Sequence, residues 1–184
     1  MKILVTGFHP FGDDSVNPSE LVAKNFGGFS LPVVRGKCFE SFKVVFQKIN
    51  PSAILMLGQA SGSQEIRLER IAINLDDFRI PDNEGNQPKE ETILPNGPAG
   101  YFSTLPLSKI YRILNKKQIP VQYSLSAGTY VCNHLFYRVM NFLTNENRVI
   151  PAGFIHIPPD WEITELIKAI KEVVQVIRRD IKSD

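Results

Sequence analysis

Apolar and polar positions alternate along the chain in two rhythms: short strand-like runs, and longer stretches with apolar residues every three or four positions. The run "KILVTGF" (2–8) begins as a strand; Gly7 and Phe8 open a loop reaching about Val16. A helix is expected from "NPSE" (17–20). Asn17 suits the N-cap, Pro18 the first helical position, and Glu20 the reciprocal place in a capping box. "LPVV" (31–34) reads as a strand and "FESFKVVFQKI" (39–49) as a helix. "SAILMLG" (52–58) is a continuous apolar run of the kind a buried parallel strand shows. "ERIAINL" (69–75) alternates, which would put Glu69, Ile71 and Ile73 on one face.

Residues 76–100 break the rhythm, with Pro81, Pro88, Pro95 and Pro98 among Gly85, Gly97 and Gly100. An irregular stretch of that length inside a compact domain commonly serves a site or an interface. A helix near 106–117, a strand near 121–125, a helix from about 130 to 144 and the strand "GFIHIP" (153–158) follow. The last helix carries Ile163, Leu166, Ile167, Ile170, Val174, Ile177 and Ile181 on one stripe. This order predicts an α/β protein: a single domain, residues 1–184, built as a three-layer α/β/α sandwich around a largely parallel, mixed sheet.

Composition narrows the function classes. A formal net charge of +2 gives no reason to expect a nucleic-acid or anionic-membrane partner. No apolar run is long enough to span a bilayer, and "MKILVTGFHPFG" is too short and broken for a signal peptide, so a cytoplasmic protein is expected. Two cysteines, Cys38 and Cys132, do not make a disulfide framework.

The chemistry centres on "SAGTYVCNHLFYRVM" (126–140), where a turn-prone run enters a helix with Cys132 at the junction. If Thr129 is the N-cap, Cys132 lies in the first turn. There the unpaired N–H groups and the helix dipole favour a thiolate and could hold an oxyanion. The competing reading is a small buried apolar residue. A nucleophilic thiol needs a base, and the chain offers His9, His134 and His156. His134 lies two positions along the same helix and projects away from Cys132. His156 sits near the end of an apolar strand, where an open α/β sheet places its sites, or else is a hydrogen-bonded core histidine. Glu69 is a candidate to orient the imidazole, or else pairs with Arg67 or Arg70 at a strand end.

Other motifs fail. "CNH" (132–134) lacks the partners of a zinc site, and "DNEGNQ" (82–87) has Gln87 where a calcium loop requires glycine. There is no Gly-rich nucleotide loop, and "GQASG" (58–62) is not a serine nucleophile elbow. Cys38 lies beside Lys37, which could make it reactive, but no histidine is near it in sequence and it is read as structural or incidental.

Taken in order, "GFHPFG", "NPSE", "ERIAINLDDFRIPDNEGNQP", "AGTYVCNH" and "GFIHIP" resemble the signatures of pyroglutamyl-peptidase I, also called pyrrolidone-carboxylate peptidase. The matches run from about residue 3 to 158. The resemblance implies a cysteine exopeptidase that releases N-terminal pyroglutamate (5-oxoproline) through an acyl-enzyme, without metal or cofactor. It implies a triad of Cys132, His156 and Glu69, the residues the physical reading had singled out. It further implies ring-holding walls from Phe8 and Phe11, a lactam-binding backbone at Gln59, and pocket positions at Asn17, Arg79, Ile80, Tyr130 and Val131. By the same resemblance the partners are pyroglutamyl peptides, and the assembly is a homotetramer. The chain departs from the family pattern at Gly12-Asp13, in "SLSAGT" and in a shortened region between about residues 22 and 33. The alternatives are a catalytically silent binder of pyroglutamyl ends and another cysteine amide hydrolase on the same scaffold.

Overall fold

The computed structural model describes residues 1–183. In chain order the elements are β1 (Ile3–Phe8), α1 (Pro18–Asn25), β2 (Phe29–Leu31), α2 (Lys37–Ile49), β3 (Ala53–Gln59), β4 (Ile66–Glu69), β5 (Ile71–Ile73) and β6 (Gly100–Phe102). Then come α3 (Leu107–Lys116), β7 (Val121–Ser124), α4 (Val131–Asn145), β8 (Ala152–Ile157) and α5 (Ile163–Ser183). Six strands form one sheet in the order β2-β1-β3-β8-β4-β7. β2, β1, β3 and β8 are mutually parallel; β4 runs antiparallel to β8 and carries β7 parallel to itself. β5 and β6 form a separate antiparallel pair. The expected mixed, mostly parallel sheet is present.

Alternation along the strands sorts the core into two layers. Leu4, Ile54, Met56 and Phe154 join Phe42 and Phe46 of α2 and Leu135, Phe136 and Val139 of α4. Val5, Leu55, Leu57 and Ile155 join Val22 of α1, Leu114 of α3, and Leu166, Ile170, Val174 and Ile177 of α5. Every residue of β3 and β8 is buried, so both read as continuous apolar runs rather than alternating ones. The stripe expected on α5 is the one that packs, with Ile163, Ile167 and Ile181 at its margins. Among the described residues, no helix is long and apolar enough to cross a membrane.

Three local expectations are corrected. The strand expected at 31–34 lies at Phe29–Leu31, because Pro32 removes the donor that pairing would need and the chain turns into α2 two residues early. The run 69–75 is two strands, not one: β4 ends at Glu69 in the main sheet, and β5 pairs with β6 elsewhere. Arg70 is the switch, its N–H donating to Ser124 O and its carbonyl accepting from Ser103 N. Glu69 therefore ends a strand and shares no sheet face with Ile71 and Ile73. Finally, Asn17 caps α1 through Ser19 N at 3.0 Å, but Glu20 turns to Lys24 and Ser30 and closes no capping box.

Candidate active site

Helix α4 begins at Val131 with Tyr130, not Thr129, as its extended N-cap. Thr129 is diverted: its hydroxyl donates to Asp77 O at 2.7 Å. Cys132 still falls in the first turn, and no side chain caps that turn. Gly58 of β3 lies directly beneath it. A Cβ built at Gly58 would approach Cys132 Sγ to 2.9 Å, which only a hydrogen at that position allows.

Gly58 is the β-register partner of His156 on β8, so the thiol of α4 stands over β3 next to the strand that carries the imidazole, at the carboxyl ends of β3 and β8. His156 Nδ1 meets Glu69 Oε1 at 2.8 Å, and both residues are buried. The antiparallel pairing of β4 with β8 makes this contact, with Glu69 opposite Phe154 and Arg67 opposite His156. Phe154 packs against the imidazole at 4.8 Å between ring centres. The carboxylate fixes the ring and assigns the Nδ1 proton, leaving Nε2 as the basic nitrogen.

The surroundings of the thiol favour its protonated form. Burial, and after it the negative charge of Glu69, push Cys132 up to about 12. The thiolate-favouring effect expected of the first helical turn is present but outweighed. Cys38, in the first turn of α2, is fully buried, and burial raises its thiol still further.

Phe8, Phe11, Asn17, Val33, Gln59, Tyr130, Val131 and Cys132 surround a small cavity of about 10 Å³, the room of roughly one water. Six of the eight proposed substrate contacts are thereby brought together around the thiol. Arg79 and Ile80 do not line this cavity: Arg79 is exposed, with its carbonyl accepting from Gln87 Nε2, and Ile80 is partly exposed. Phe11 lies over Tyr130 at 5.7 Å, and Tyr130 meets Phe78 edge-on at 4.7 Å. The loop bearing Phe11 is tied down by Gln59 Nε2 donating to Asp14 (2.8 Å) and Asn83 Nδ2 donating to Pro10 O (2.9 Å).

Asn133, Asp76 and Arg35 organise the surroundings of the site and were not singled out in sequence. Asn133 binds β5 with Oδ1 accepting from Ile73 N and Nδ2 donating to Ile73 O and Leu75 O. His134 does point away from Cys132. Its Nδ1 meets buried Asp76 at 2.8 Å, and its Nε2 accepts from Gly36 N at 3.3 Å. Arg35 Nε also donates to Asp76 at 2.8 Å. Val33 was read as a strand residue and is a pocket wall.

"DNEGN" is an Asp-centred turn. Burial works against ionisation of Asp82, but donors from Arg35 N, Asn86 Nδ2, Glu84 N and Asn86 N outweigh it and hold the carboxyl below its ordinary 3.8. A depressed folded value means that the stabilisation is present above the unfolded value and is lost as pH falls through the folded one. Asp82→Asn is therefore expected to cost about 1–2 kcal/mol at neutral pH and to flatten the loss of stability below pH 4. Urea unfolding of both proteins between pH 2 and 7 measures this; an unaltered acid limb would count against it.

A thiol at a helix start, placed over the carboxyl ends of a mostly parallel sheet beside a carboxylate-held imidazole, defines a cysteine hydrolase in class. The chain belongs to the pyroglutamyl peptidase family, whose sequence model matches residues 1–174. It is 42% identical to pyrrolidone-carboxylate peptidase 1 of Caldanaerobacter subterraneus subsp. tengcongensis, over 96% of this chain and 98% of the relative. The crystal structure of pyroglutamyl peptidase I from Bacillus amyloliquefaciens superposes with a TM-score of 0.92 at 38% identity, covering 96% of this chain and 94% of that one. Pyrrolidone carboxyl peptidase from Thermococcus litoralis gives 0.95 at 36% identity, covering 100% and 96%.

Proposed function

We propose that the chain is a cysteine exopeptidase that hydrolyses the amide bond after an N-terminal pyroglutamate, with Cys132 as nucleophile, His156 as base and Glu69 holding the ring. The single observation that carries the residue roles is the 2.8 Å Glu69–His156 pair on strands adjoining the thiol. As attack begins, His156 Nε2 takes the thiol proton and sulfur bonds the oxoproline carbonyl carbon. The first-turn N–H groups of α4 receive the developing oxyanion. Collapse breaks the C–N bond, and the imidazolium gives its proton to the departing amine. Water, deprotonated by His156, then splits the thioester and frees pyroglutamate.

Pyroglutamate is a flat, uncharged lactam. Phe8, Phe11 and Tyr130 supply the apolar walls such a ring needs, and Gln59 lines the same cavity, where its backbone would meet the lactam. A one-water cavity is smaller than the ring, so the ring's entry requires the Phe11 side chain to shift off Tyr130. A silent binder would have no use for a buried Glu69–His156 pair beside a thiol.

Residues 1–184 act as one domain in this reading, because helices on both faces share one sheet. A free catalytic thiol suits the reducing cytoplasm. Assembly as a homotetramer completes the reading.

The test is hydrolysis of a fluorogenic pyroglutamyl amide beside the prolyl amide, which lacks the ring carbonyl. Cleavage of the first at least about 10⁴-fold faster is expected, since proline leaves buried lactam partners unpaired. Equal cleavage would overturn the pocket; cleavage of neither by folded, reduced protein would favour the silent binder.

A further inference from the structure

Behind the imidazole, two buried polar atoms have no hydrogen-bond partner: Glu69 Oε2 and Arg67 Nε. Glu69 is wholly buried, so its second oxygen has given up water and received no donor in return. Arg67 Nε is likewise a buried donor without an acceptor. Such orphans are costly, and these two, of opposite character, belong to one Arg–carboxylate pair.

The backbone brings them together. Arg67 and Glu69 are alternate residues of β4 and project from the same face. Arg67 stands opposite His156 in the β4–β8 pair. Its far end is tethered, with Nη2 donating to Ser124 Oγ at 3.3 Å, and Ser124 is the β7 partner of Glu69. Ser124 Oγ in turn donates to Ser126 O at 3.0 Å. Anchored there, the arm holds Nε 3.9 Å from Glu69 Oε1, the oxygen that meets His156, about 1 Å beyond hydrogen-bond length, while Oε2 of the same carboxylate has no donor. Arg70 does not compete, since its guanidinium lies over Tyr123.

We propose that Arg67 is a positioning residue of the active site: in the working enzyme its Nε–H closes on Glu69, and so fixes the carboxylate that fixes the His156 ring. The proposal rests on the Cys132–His156–Glu69 reading. An exposed Lys or Arg pairing with an exposed carboxylate contributes little. This pair differs because its carboxylate is buried and already holds a base.

A double-mutant cycle on hydrolysis of the pyroglutamyl amide tests it, using Arg67→Met, Glu69→Gln and the double variant, with Arg67→Lys as rescue. Arg67→Met is expected to lower kcat about tenfold with KM nearly unchanged, and to have no further effect in the Glu69→Gln background. Arg67→Lys should recover part of the loss. Equal losses in both backgrounds would overturn the proposal, because Arg67 would then act elsewhere. So would an Arg67→Met variant within twofold of wild type. Thermal unfolding separates these results from misfolding: a cost confined to stability, with kcat kept, also overturns it. Full activity in Glu69→Gln alone would instead remove the triad reading on which the proposal stands.

Discussion

Cys132→Ala is expected to lose at least about 10³-fold in kcat/KM on a pyroglutamyl amide while unfolding at nearly the wild-type temperature. Removing a nucleophile removes the covalent route altogether; only pocket binding and oxyanion donors remain, and these support a small residual rate. Stability should barely change, because Sγ makes no hydrogen bond with another residue among those described and its loss leaves a small cavity beside the pocket. The high thiol value adds a second readout. With the Cys132 thiol pushed up by desolvation and by the charge of Glu69, the folded wild type should alkylate slowly with iodoacetamide at pH 7. Its rate should climb about tenfold per pH unit through the neutral range. Fast, pH-independent alkylation at pH 6 would mean a preformed thiolate–imidazolium pair, and proton transfer would then precede attack. Undiminished hydrolysis by Cys132→Ala would give the chemistry to another group.

How much of this was legible in the sequence depends on the range of the interaction. β3, β8 and α5 announce themselves because burial on two faces or one stripe leaves a periodic mark within a few residues. The split at Arg70 leaves none: the alternation of "ERIAINL" continues unbroken while the chain changes sheets. β6 was missed because three residues, Gly100–Phe102, carry too little pattern to see. Cys132, His156 and Glu69 each had a physical reason to be noticed, but their meeting is a register property. It needs β4 antiparallel to β8, pairing residues 87 apart in sequence. The packing of Phe11 against Tyr130 has no local signature either. The helix-start argument was sound in sign but lacked the competing desolvation, which only burial in the folded chain reveals.

Gly58→Ala is the sharpest test of how closely the nucleophile is seated. The added methyl would stand 2.9 Å from both Cys132 Sγ and Phe154 Cζ, and 3.0 Å from Phe154 Cε1. Something must move. Phe154 is fully buried, packed against Phe8 and Phe136, so its ring has nowhere to go. The backbone of β3 is held on both sides by β1 and β8. The thiol is the free end, and it swings away from His156. Misplacing a reacting atom by about 1 Å costs on the order of 10²-fold, so kcat should fall by about that factor. Overpacking should also cost about 1–3 kcal/mol of stability, read by denaturant unfolding. KM should change little, because the walls contributed by Phe8, Phe11 and Tyr130 are untouched. The pattern separates a displaced nucleophile from a spoiled pocket, which would raise KM instead. Wild-type kcat in a folded Gly58→Ala protein would mean that the thiol has room to spare above β3, and that the bare glycine serves packing against Phe154 rather than the reaction.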